Sequence, residues 1–499
     1  MKLKLLPLFA LTAVFAALPA FAGFSSYGIP DSSEIRGEIV SSWLEAPAAL
    51  IRGKNAETYD DGAGHSFQVR LDGLSDSDPS YKIIVAPKSV IPVRHIGGGA
   101  SERKGEDIVY TEGTAGTWVL YRDKRTDKAS KIRIYFNADP GVYLELRNGE
   151  NKTYADMVLY DCYMVRSVPL GVRFKKLYTM SFDEIQALTR KSLPWASVKV
   201  VPGQYHPVLQ MAAVIRGCLP RIVYAHDAAY NEEGKLYSLQ LNEPYDLVEA
   251  AVRANPSLEN VRRTDPTLET VFYADPSLEA ARRAIESDSG LVLSSAGFVK
   301  WVADGIVEPA TGSYTNLGNM VSPTVNYSSL GKRGVISQTW NLSLTLDCCR
   351  NLAVDALNAR STKRSYRYKM GASDVTGVDV SVEPFVSDIV DDGELRSVGY
   401  IKDTGYSVIE LKSLLYVLAV TESQYIYFAA IKSGSKAGDS VFNNCAVLMP
   451  FFDDDGKFGC TVFEQGKEYS LDAFIELHPD SYIHLNRVKS SDFFSPMYK

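Results

Sequence analysis

Short apolar runs rich in β-branched and aromatic residues, separated by polar or Gly/Pro-rich segments, fill the first third of the chain. Residues 81–85, 117–121, 131–136, 142–146 and 154–160 read as strands on this pattern, and Asn148-Gly149 marks a hairpin between two of them. Short strands at this spacing predict a β-rich module over residues 23–165, built as a sandwich or barrel. Residues 166–246 are mixed α/β. There Ser181 and Glu184 form a capping box that predicts a helix through Leu188, and Pro194 is a stop.

A repeat follows within residues 247–284. Asn255-Pro-Ser-Leu-Glu259, Asp265-Pro-Thr-Leu-Glu269 and Asp275-Pro-Ser-Leu-Glu279 recur every ten residues. Asn or Asp before Pro disfavours the α region and suits a helix cap, so the repeat predicts a run of short helices acting as a solvated linker. Next, Leu291 to Gly305 is an apolar run that meets a small-residue turn and becomes a helix. Phe298, Val299, Trp301 and Val302 recur at helical spacing, with Lys300 and Asp304 elsewhere on the wheel. Ser295 falls at the start of that helix, where unpaired N–H groups stabilise a developing anion. Residues 309–327 read as a long loop, 340–357 as a helix, 366–382 as β, and 408–420 as an apolar buried helix. The chain closes with strands at 426–431, 445–452, 457–463 and 482–488.

The chain has 499 residues, 45% of them hydrophobic, enough to bury a sizeable core over several domains. Lys2 and Lys4 precede the apolar run 5–18, and Ala20-Phe-Ala22 supplies a cleavage site before Gly23. Residues 1–22 therefore predict a secretory signal peptide and a periplasmic or extracellular protein. No later apolar run approaches the roughly 20 residues of a membrane span. The formal net charge of −7 becomes −9 without Lys2 and Lys4, and no basic stripe invites nucleic acid. Six thinly spread cysteines imply no small disulfide framework and read as buried thiols. A turn centred on Asp454 and Asp455 would set Cys445 opposite Glu464.

The turn and its helix, Ser295-Ala296-Gly297-Phe298-Val299, resemble the C-S-G-F-V nucleophile motif of the NlpC/P60 group of papain-like cysteine peptidases. The family's H-V-A-I/V-L strand has its nearest match at Asn444-Cys445-Ala446-Val447-Leu448, and Glu464 stands where a third polar residue follows on the next strand. The resemblance covers about residues 285–490 and implies an α+β protein with a papain-like domain at 285–499 behind the β-rich front. It also implies that Ser295, Asn444 and Glu464 occupy the catalytic positions. The family needs Cys followed by His, and this chain has Ser followed by Asn. A thiol is readily shifted to thiolate by a helix N-terminus and an imidazolium, whereas an alcohol needs a general base that Asn cannot be. His478 and His484 follow in the terminal segment, away from the family's base position.

Other catalytic signatures fail. There is no G-x-S-x-G elbow, no phosphate-binding loop, and no S-x-x-K at Ser295, since Lys300 lies five residues on. His206 and His226 stand at no metal spacing, and the Asp453–Asp455 cluster lacks the ligand pattern of a calcium loop, so neither a metal nor a cofactor is expected. The expected function, as the NlpC/P60 resemblance implies, is an exported envelope protein that binds peptidoglycan or cell-wall peptide, with catalysis lost at the Ser295 and Asn444 positions. Two further readings stay open: an active hydrolase with an atypical site, and a structural or adhesive protein working through its β-rich front half.

Overall fold

The computed structural model describes residues 32–61, 65–73, 78–96, 102–325, 343–362, 365–369, 374–386, 398–402, 404–433 and 441–497; the predicted signal peptide lies outside them. The chain is mixed α+β with a β-rich N-terminal half. It divides into two compact units. One comprises residues 1–136, 147–153 and 170–190, and the other residues 137–146, 154–169 and 191–499.

In the first unit, strands Glu57–Asp60, Ser66–Asp72, Ser80–Pro87, Trp118–Asp123 and Ala129–Tyr135 pair in that order, all antiparallel. The hairpin Ser89–Ile96/Glu102–Val109 is an excursion from this meander. Among the described residues this is one continuous sheet with a hairpin, in place of the expected sandwich or barrel. Phe67, Val69, Ile83, Val85, Val119, Ile132 and Ile134 bury its apolar positions. The helix Phe182–Thr189 opens on the predicted capping box, Glu184 N–H donating to Ser181 Oγ at 3.2 Å and Ser181 N–H to Glu184 Oε2 at 2.7 Å.

The second unit takes segments from both 23–165 and 166–246, together with all of 247–499. Ser413 Oγ donates to the Leu159 carbonyl at 3.0 Å and the Tyr160 ring meets Tyr416 edge-on, tying residues 154–169 to the buried helix Leu411–Thr421. The repeat gives short helices Leu247–Ala254, Leu258–Thr264, Glu269–Ala274 and Pro276–Ser287. Asn255 and Asp265 end the helices before them. Asp275 also caps the helix after it, accepting from Ser277 N–H with Pro276 in the first turn.

The core of this unit is helix packed on sheet. Strands β1 (Ile222–Tyr224) and β2 (Leu291–Leu293) pair in parallel, and β2 runs straight into helix α1 (Ser295–Thr311). Helix α2 (Leu344–Ala359) packs beside α1. Both lie on an antiparallel sheet of β3 (Tyr425–Ser433), β4 (Val441–Phe452), β5 (Phe458–Glu464), β6 (Lys467–Ser470) and, after helix α3 (Leu471–Leu477), β7 (Tyr482–Lys489). The spatial order is β7-β3-β4-β5-β6, with the short strand Tyr406–Ser407 paired on the outer edge of β7. Phe298, Trp301, Val302, Leu346, Cys349 and Leu352 from the helices meet Phe428, Cys445, Val447 and Phe463 from the sheet in one apolar cluster.

Three expectations change here. Helix α1 continues through Pro309 to Thr311, so the loop expected from 309 begins later and is interrupted by the helix Leu317–Met320; its residues 326 and 327 lie outside the described ones. Residues 366–382 form no strand among those described. They are fastened to β7 by single bonds such as Val380 N–H to Leu485 O at 2.9 Å, because the Asp379 carboxylate takes the Val375 N–H and the Tyr368 hydroxyl. The β4–β5 turn centres on Asp455, with Gly456 at φ +78° and Asp453 N–H on Lys457 O. That one-residue difference sets Ala446, and not Cys445, opposite Glu464.

Candidate functional site

The strand-to-helix junction forms as the sequence pattern predicts, with one residue of difference in role. Ser294 is the N-cap, and its hydroxyl accepts the Gly297 N–H at 3.1 Å and donates to the Ala228 carbonyl at 3.0 Å. Its backbone N–H reaches the same carbonyl at 2.8 Å. Gly297 is required by this closure, since a Cβ there would stand 2.1 Å from the Ala228 oxygen. Ser295 begins α1 and is 7% exposed. Its hydroxyl has no hydrogen-bond partner among the described residues.

Asn444 and Glu464 come together, on the other side of the sheet. Side chains alternate along a strand. On β4 and β5, Cys445, Val447 and Phe463 face the helices: Cys445 Sγ lies 3.7 Å from the Thr345 carbonyl of α2, and the Phe463 ring is 6.4 Å from that of Phe298 on α1. Asn444, Ala446 and Glu464 therefore face away from α1. There the Asn444 side-chain amide donates to Glu464 Oε1, and His478, just past α3, sets Nε2 at 3.1 Å from both Glu464 oxygens. The Phe474 ring packs on His478 at 4.8 Å. The structure thus joins Asn444, Glu464 and His478 and separates them from the Ser295 helix by the thickness of the sheet.

Two polar clusters escaped the sequence reading. Lys300 and Asp304, four residues apart on α1, are both about 1% exposed and bond at 2.7 Å, while Asp304 Oδ1 also accepts the Thr315 N–H and hydroxyl. Burial pushes the Asp304 carboxyl up despite the Lys300 charge. The second cluster lies between α2 and β7. Asp379 Oδ1 accepts from Arg350 Nε at 3.0 Å, His484 Nε2 at 2.7 Å and Asn486 Nδ2 at 2.9 Å. Burial works to raise the Asp379 carboxyl, but the His484 bond and the Arg350 charge hold it well below the usual carboxylate range. Asp374, Asp379 and His484 bring metal-type donor atoms within 4.8 Å of one another. Arg350, donating to both carboxylates, stands where a cation would sit. The i,i+4 spacing of Lys300 and Asp304 was visible in the sequence; the partners of Arg350, 24 to 134 residues away, carried no local signal.

The cysteines are all buried, and none is in a disulfide. The cavity of about 540 Å³ lined by Lys412, Phe458, Cys460 and Asp472 touches none of the predicted site residues.

A family model described as a domain of unknown function (DUF8515) matches residues 25–197, which covers the front strands and the Ser181-capped helix and stops short of the Ser295 junction. No curated protein and no solved structure matches the chain. No described helix is long and apolar enough to cross a membrane.

Proposed function

We propose that this chain is an exported cell-envelope protein whose C-terminal half is a papain-like domain of the NlpC/P60 kind, retained to bind cell-wall peptide without cleaving it. Support for the fold comes from the S-A-G-F-V junction opening a buried helix that lies across an antiparallel sheet. The observation that carries the loss of catalysis is the side of the sheet on which Asn444, Glu464 and His478 meet. The only imidazole of that group is engaged with Glu464, opposite the face that packs α1, so among the described residues the Ser295 hydroxyl has no hydrogen-bonded base to take its proton. The N-terminal signal pattern supports export.

The test is incubation of the purified full chain with soluble peptidoglycan fragments, following both new amino termini and binding by calorimetry. Saturable binding without new termini is the expected result. Peptide release that disappears in Ser295→Ala would overturn the reading in favour of an active hydrolase. The third reading, adhesion through the front half, draws on the family match over residues 25–197, which lies in that region.

A further inference from the structure

The end of β1 and the helices of the decapeptide repeat line a half-open cavity of about 280 Å³. Its wall is apolar: Leu247, Leu258, Val271 and Leu278 come one from each of the four repeat helices. An apolar cavity of roughly 150 Å³ is enough to take up benzene. A space nearly twice that size admits a flat bicyclic ring.

One side of the wall is polar. Tyr224 and His226 line it where β1 ends, and the Tyr245 hydroxyl secures that turn by donating to the His226 carbonyl at 2.8 Å. Neither the His226 ring nor the Tyr224 hydroxyl has a hydrogen-bond partner among the described residues. Burial lowers the His226 pKa; Arg253 acts in the same direction and Asp227 against it. The ring is therefore neutral at pH 7, with one nitrogen free to accept a hydrogen bond. Among the described residues no Lys or Arg lines the cavity, and the one ionisable acid that does, Asp275, is held below the usual carboxylate range by its bonds from the Ser277 hydroxyl and N–H. A fixed negative charge on the lining disfavours anions.

We propose that this cavity is a binding site for an uncharged, flat aromatic group of indole size bearing one N–H or O–H donor, its ring against the repeat helices and its donor on His226. The repeat is then the wall of a site and not a spacer. This holds whether or not the C-terminal half is papain-like, because it uses none of the Ser295 junction. Two sources present the same chemistry, a free indole-like molecule and a tryptophan side chain.

The experiment is calorimetric titration of the full chain with indole, 1-methylindole and N-acetyl-tryptophanamide. Indole is expected to bind saturably at one site, and 1-methylindole, which lacks the donor, about ten-fold more weakly, the worth of one hydrogen bond. His226→Phe should erase that preference while keeping 1-methylindole affinity. Ala254→Trp, which fills the cavity from an exposed position on its lining, should abolish binding of both with an unchanged unfolding midpoint. Binding of N-acetyl-tryptophanamide alongside indole supports the site with a protein side chain as its source; exclusion of it supports a free small molecule. Absence of saturable indole binding, equal affinity for 1-methylindole, or undiminished binding in Ala254→Trp would overturn the proposal.

Discussion

Asn444 donates its side-chain amide to Glu464 on the face of the sheet turned away from α1, while the residue after it, Cys445, points through the opposite face toward α2. The three positions that the NlpC/P60 resemblance assigns to catalysis are thus split two and one by a strand's alternation.

From this split follows a prediction about reconstruction. Ser295→Cys combined with Asn444→His should produce no peptidase, since the new imidazole would join Glu464 on the far face. Alkylation of the introduced thiol by iodoacetamide across pH 6 to 9 reads this directly. The rate profile of the double variant should overlay that of Ser295→Cys alone; a ten-fold acceleration at pH 7 from the second substitution would show imidazole reaching the thiol.

Removing the centre of the Arg350 cluster should be costly. Asp379→Ala leaves a fully buried guanidinium without its fully buried carboxylate partner and strands His484 and Asn486. Breaking a buried pair by deleting one partner costs about 3–5 kcal/mol. Urea denaturation should show a midpoint lowered accordingly. Because the Asp379 carboxyl is held low, its contribution is present above the ordinary unfolded value of about 3.9 and is lost as pH falls toward the folded one.

Asp355 runs the other way. Burial first, and then the charge of Asp304, push its carboxyl up to about 6. The folded state binds the proton more tightly than the unfolded chain, so this group's contribution is full below about pH 4 and is lost as pH rises through about 6. Asp355→Asn is accordingly expected to raise the urea midpoint at pH 8 and to leave it level or lower at pH 4. Equal shifts at both values would remove Asp355 from the account.

Gly297→Ala should damage the junction itself. The added methyl meets a backbone oxygen that the Ser294 bonds hold in place, and forced overpacking of this kind costs about 1–3 kcal/mol or more. Ser294→Ala removes the cap and the hydroxyl's bond to the Ala228 carbonyl, and should cost about 1 kcal/mol. Thermal unfolding of the two variants should rank them in that order.

How much of this could be read from the chain depended on range. The capping box at Ser181, the junction at Leu291 to Ser295 and the strands at 426–431, 445–452 and 482–488 carry their signals within a few residues, and they form where expected. The side of the sheet on which Glu464 lies depended on whether a turn centres between Asp454 and Asp455 or on Asp455. Nothing in the Asp-Asp-Asp-Gly run fixes that, and a one-residue slip reverses the facing of every pair. Arg350 illustrates the other limit. A charged residue beside Leu346, Cys349 and Ala353 reads as the polar side of an amphipathic helix, until residues 374–379 and 484 arrive to compensate it. The same holds for Lys300 and Asp304, which turn inward because each neutralises the other.

The Ser294 cap has a chemical consequence beyond stability. An acyl-transfer site at the head of α1 would need backbone N–H groups free to receive an oxyanion as the tetrahedral intermediate forms. The Gly297 N–H, one of those the first turn offers, is already committed to the Ser294 hydroxyl, and that hydroxyl is itself anchored on Ala228. A nucleophile planted at 295 would therefore find part of its transition-state stabilisation already spent on holding the helix in place.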